Sequence, residues 1–196
     1  MDLEVKYQSI LNQIKPLLAD HPKLCILGIG ENRMGDDGIG QYIPFELDKQ
    51  TFSSNILIIN GTIVPEERLS EIVSFQPELM IIIDAVGGNS PRGAINLYKD
   101  DQILNYLPIS SHSMPLPVFI DRCYSRIQGL KIQLLGISPY SLEFSDKYAL
   151  FEEDKYTLDD KEANPNIPFY EFSLTEEMVQ IGKDVVEIFT KLLEDY

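Results

Sequence analysis

Apolar residues follow two rhythms along this chain, short unbroken runs and stripes stepping by three or four, and their alternation predicts strand and helix in turn. Leu3, Tyr7, Ile10, Ile14 and Leu17, widened by Leu11 and Leu18, form the first stripe and predict an amphipathic N-terminal helix. Pro16 should bend or end it. His21 follows in a polar turn between Asp20 and Pro22, and is expected at the solvent surface because no apolar strand carries it to a sheet edge. Residues 24–27 are an unbroken apolar run of the kind buried on both faces of a parallel sheet. Gly28 and Gly30 end that run, and Ile39, Tyr42, Ile43 and Leu47 then take up helical spacing. The stretch 24–40, LCILGIGENRMGDDGIG, therefore reads as strand, glycine-punctuated loop and helix.

The same alternation recurs. Residues 55–60 (NILIIN) predict a second strand closed by Gly61 and Thr62, after which Pro65 pre-sets a helix burying Leu69, Ile72, Val73 and Phe75. A third strand, 79–84 (LMIIID), ends in an aspartate. Residues 93–98 (GAINLY) alternate after a short loop containing Pro91, which predicts a neighbour in antiparallel sense. The segment SSHSMPLP at 110–117 precedes a helix carrying Val118, Phe119, Cys123 and Ile127, and 130–137 (LKIQLLGI) is the last strand. Ser173 and Glu176 have capping-box spacing ahead of a final helix through Met178, Ile181, Val185, Ile188, Phe189 and Leu192. The fold class is α/β, a five-stranded, mostly parallel, doubly wound sheet, and such sheets bind ligands at the carboxyl edge. No repeat or second domain is visible, so residues 1–196 read as one domain.

A net charge of -15 argues against nucleic acid and favours basic or metal-loaded partners, solubility being its simplest consequence. No apolar run approaches the ~18 residues of a membrane span, and the N-terminus lacks the pattern of an export signal, so a cytoplasmic protein is expected. Cys25 and Cys123 fall in a predicted strand and helix and are expected as free core thiols. An acidic excursion at about 141–170 shows no periodicity; it reads as a solvated loop, with a partner-docking flap as the functional alternative.

The glycine-rich turn does not bind nucleotides by either familiar motif. Arg33 stands where the dinucleotide fingerprint needs its third glycine, and Asp36 and Asp37 stand where a P-loop needs lysine and a hydroxyl residue. Glu31, Asp36 and Asp37 instead suit a cation or proton transfer, or, more plainly, the aspartates cap the helix that follows. Asp84 closes a strand at the same edge, where an acid after an apolar run is costly unless it is bonded, paired or bound to metal. His112, in a loop before a helix, is the natural third member. Two carboxylates and an imidazole can hold a divalent transition metal with positions left open, or activate water without one. The residues thus point to a hydrolase or a metal-binding module.

The chain resembles the nickel-iron hydrogenase maturation endopeptidases. The resemblance lies in GIGENRMGDDGIG (28–40), the GT and PE within 61–67, IIIDAVGGNSPRG (81–93), SSHSMPLP (110–117) and LLGISP (134–139), which occur in family order. It implies a three-layer α/β/α sandwich, phosphorylase/hydrolase-like, whose fourth strand is antiparallel. It further implies an aspartic-type endopeptidase that removes the C-terminal extension of a hydrogenase large-subunit precursor after nickel insertion. There would be no resident cofactor: nickel is recognised in the precursor, and Asp37, Asp84 and His112 both contact that metal and carry catalysis. Glu31 replaces the asparagine usual in the family, Ser138 stands where glutamine is common, and the 141–170 segment is longer than expected. The alternatives are a resident-metal peptidase or amidohydrolase of similar fold, and a non-catalytic nickel-dependent chaperone.

Overall fold

The computed structural model describes residues 3–103, 114–143 and 172–194. A short helix α1 (Leu3–Lys6) and a longer α2 (Gln8–Asp20) lead into β1 (Leu24–Gly28), α3 (Ile39–Asp48), β2 (Ile56–Asn60) and α4 (Leu69–Phe75). Then come β3 (Leu79–Ala85), β4 (Ile95–Tyr98), α5 (Asp100–Ile103), α6 (Leu116–Tyr124), β5 (Lys131–Ile137) and α7 (Glu176–Glu194). The strands form one sheet in the order β2-β1-β3-β5-β4, parallel throughout except for β4, which runs antiparallel to β5.

The unbroken apolar runs are explained by burial on both sheet faces. Leu24, Ile26, Ile81 and Ile83 pack beneath α2, α3 and α7, while Cys25, Leu27, Met80 and Ile82 pack against α4 and α6, giving three layers. Cys25 and Cys123 are buried free thiols, as expected. Among the described residues no helix is long and apolar enough to cross a membrane.

Three local expectations are corrected. Pro16 does not end the N-terminal helix: the break falls at Tyr7, and α2 runs on past the proline to Asp20, with Ile14 and Leu18 both anchored in the core. His21 is buried rather than exposed; its Nδ1 lies 2.7 Å from the Leu17 carbonyl oxygen, occupying an acceptor that the last turn of α2 leaves unmatched. Ser173 does not cap the final helix. That position is held by Thr175, whose hydroxyl accepts from the Met178 N–H at 3.2 Å, while the Ser173 N–H donates to the Asn32 carbonyl at 3.0 Å.

Candidate active site

Beyond Gly28 the chain stays tied to both neighbouring strands. The Ile29 N–H donates to Ile83 O at 2.9 Å and the Gly30 N–H to Thr62 O at 3.1 Å, so the loop rises from the carboxyl edge of the sheet. A 3-10 turn, Gly35–Gly38, then feeds α3. This helix lies unusually close to the strands: a Cβ built on Gly40 would fall 1.8 Å from Ile29 O, and one on Gly28 would fall 1.8 Å from Gly40 O. Only glycine permits that approach, and the approach sets the turn over the sheet edge.

Asp37 lies in this turn, fully buried, with its Oδ2 accepting the Glu31 backbone N–H at 2.6 Å. That bond folds the loop onto itself and fixes the carboxylate's orientation. Asp84 is the penultimate residue of β3, opposite Gly136 of β5, and is 1% exposed. The 3-10 turn packs on β3, so both aspartates come to the same edge. His112 lies outside the described residues, as does the acidic segment from 144 to 171. Among the described residues no three histidine, cysteine or acidic side chains are grouped as a metal site.

Asp36 does something different from its neighbour. It is fully buried, and its Oδ2 accepts from Tyr140 N (2.8 Å), Ser141 N (3.1 Å) and the Thr175 hydroxyl (3.1 Å), while Oδ1 accepts from Thr175 N (2.7 Å). Neither Asp36 nor Asp37 caps the turn or helix that follows through its side chain. The capping alternative thus fails for the local helix, although Asp36 does sit at the N-terminus of α7.

Further residues complete the edge, Gln41 among them with no signal in the sequence. Gln41 donates through Nε2 to the Gly30 carbonyl, and its Oε1 accepts from Asn60 Nδ2 at 3.4 Å, linking α3, the loop and β2. Thr62 takes a left-handed φ of 52°, a strained conformation for a β-branched residue, and uses its carbonyl to hold Gly30. Glu31, the unusual loop acid, turns toward Arg33, 3.5 Å from its Nε. Ser138 continues the β4–β5 pairing past Ile137, its N–H donating to Ala94 O at 2.9 Å.

The chain matches the HycI family model, hydrogenase maturation protease, over residues 44–160. It is 30% identical over 114 residues to the hydrogenase 3 maturation protease of Escherichia coli, a match covering 58% of this chain and 71% of that protein. The fold superposes on the [NiFe] hydrogenase maturation protease HycI from Thermococcus kodakarensis with a TM-score of 0.71 at 20% identity, covering 93% of this chain and 99% of that one. The hydrogenase maturating endopeptidase HybD of E. coli gives a TM-score of 0.62 at 21% identity, covering 88% and 93% respectively.

Proposed function

The chain belongs to the hydrogenase maturation protease family, and we propose that it is the endopeptidase removing the C-terminal extension of a nickel-iron hydrogenase large-subunit precursor once nickel has been inserted. The observation that carries this reading is the placement of Asp37 and Asp84 at one carboxyl edge, with neighbouring Asp36 committed to bonds elsewhere. Nickel arrives as part of the substrate, and the protein needs no resident cofactor. Asp37, Asp84 and His112 would grip it, since two carboxylates and an imidazole leave coordination positions for the precursor's own ligands. Held this way, the scissile peptide sits beside a water from which one carboxylate removes a proton as general base. With these residues the enzyme would be aspartic-type in its chemistry, and it would act in the cytoplasm, where large-subunit precursors would be met before assembly.

The test is cleavage of a nickel-loaded precursor followed by intact-mass spectrometry. Asp37→Asn and His112→Ala, each checked for native folding, should abolish the mass loss of the extension. Cleavage retained by both variants would overturn the assignment, and stoichiometric zinc in the purified protein would favour a resident-metal hydrolase instead.

A further inference from the structure

We infer that Asp36 is a positioning residue, which sets the Asp37 carboxylate by anchoring the turn they share to two distant parts of the chain; this rests on the proposed role of Asp37. Asp36 is fully buried, yet its carboxylate is supplied with donors: three backbone N–H groups and one hydroxyl. A buried carboxylate is tolerable only with such compensation. The donors come from the turn after β5 and from the residue that caps α7, whose positive helix end also favours an anion.

The anchoring has no slack. The Asp36 N–H donates to Ser141 O at 2.9 Å, and a Cβ built on Gly35, whose φ is 51°, would fall 2.7 Å from that same oxygen. From the other side Ser173 holds Asn32, and a Cβ on Gly38 would meet Leu174 at 3.5 Å. Phe172 packs its ring edge-on against Tyr42 and Phe45 of α3. The segment 172–175 therefore crosses the turn, and the Asp36 carboxylate bonds both to it and to the Tyr140–Ser141 backbone. Asp37 inherits the geometry: its Oδ2 meets the Glu31 N–H at 2.6 Å because the turn is held in that position.

Asp36→Asn keeps the shape but turns one acceptor into an NH2 group, which in either orientation faces at least one backbone N–H. In the full-length protein, this variant should lower kcat for nickel-loaded precursor on the order of 10- to 100-fold, the scale of a misplaced catalytic group. KM should change less than about twofold, because contacts that bind the precursor equally in ground and transition states remain. Amide exchange gives a readout independent of activity: the Glu31 N–H should lose protection while Ile26 and Ile81 in the sheet keep theirs. Thr175→Val should move both readouts the same way by less, and Thr175→Ser should restore them. A folded Asp36→Asn with wild-type kcat and a protected Glu31 amide overturns the inference. Should Asp36→Asn not fold, unchanged kcat and exchange in Thr175→Val overturn it. If the wild type itself leaves the precursor uncut while Asp36→Asn still deprotects Glu31, the positioning stands and the proposed reaction falls.

Discussion

Gly40→Ala sets two effects of opposite sign against each other. Alanine is favoured over glycine in a helix by ~1 kcal/mol, so propensity alone predicts a more stable protein. The added Cβ, however, would fall 1.8 Å from Ile29 O and 2.7 Å from Ile83 O, against ordinary contacts of 3.4–4 Å. The first contact is about 1.6 Å short, and both obstructing atoms are backbone, which cannot swing aside as a side chain does. Overpacking of this kind costs roughly 1–3 kcal/mol even where side chains yield; with backbone in the way the upper end applies, and less the ~1 kcal/mol of propensity the net loss is roughly 2 kcal/mol. For a chain of this size that lowers Tm by roughly 4–8 °C. The relief route is for α3 to lift off the sheet, carrying Asp37 with it, and a displacement near 1 Å costs on the order of 100-fold in rate. Gly129→Ala is the control: its φ of 79° makes alanine strained there, but a Cβ meets nothing within 4 Å and the residue is remote from the edge. It should lose ~1 kcal/mol and no precursor cleavage. Urea denaturation and timed cleavage measure the two quantities, and a Gly40→Ala protein as stable as wild type would refute the close-packing account.

Asp184 of α7 accepts from Lys6, Tyr7 and Gln180 at 2.7–2.9 Å. Burial raises its pKa, but these bonds outweigh burial and hold the carboxyl below its ordinary range. A lowered carboxyl pKa stabilises the fold above the unfolded-state value and loses that contribution as pH falls through the folded one. Asp184→Asn should therefore cost roughly 1–2 kcal/mol of stability at neutral pH given the part-exposed Lys6, read as a lower urea midpoint, with the gap to wild type closing in acid. An unchanged gap down to the acid transition would contradict the assignment. Burial pushes the Cys123 thiol up to about 12 and raises that of Cys25 still further. Thiol reagent at pH of about 8 should then label neither cysteine until urea unfolds the chain; fast labelling of the native protein would show that one is accessible.

β1 and β3 were legible because each is an apolar run buried on two faces, and the β4 direction because GAINLY alternates after a short loop. What escaped depends on tertiary context. Pro16 obeys its local rule only where nothing on its far side is anchored, and Leu18 is. His21 sits in a polar turn, yet its ring serves a carbonyl of the preceding helix, a bond no hydropathy pattern encodes. Ser173 and Glu176 have the spacing of a capping box, but Thr175 holds the cap and is itself held by Asp36, 139 residues away in sequence.

That separation is also why spacing alone, without the family resemblance, did not distinguish the paired aspartates of GDDG. Two consecutive buried carboxylates each need compensating donors. The fold accommodates them by drawing donors from different places: Asp36 from the Tyr140–Ser141 turn and the start of α7, Asp37 from the Glu31 amide within its own loop. Asp36 thereby contributes rigidity to the turn, while the packing of that turn on β3 brings Asp37 to the same carboxyl edge as Asp84. Two carboxylates at one edge are hard oxygen ligands that suit a divalent cation. Under the proposed reaction the precursor supplies it, so the site reaches its lowest energy only when a nickel-loaded substrate is in place. Precursor lacking nickel should accordingly bind more weakly to wild type, and the difference should shrink in Asp84→Asn, where one of the two charges is gone. Equal binding of loaded and unloaded precursor by wild type would separate the carboxylate pair from metal recognition.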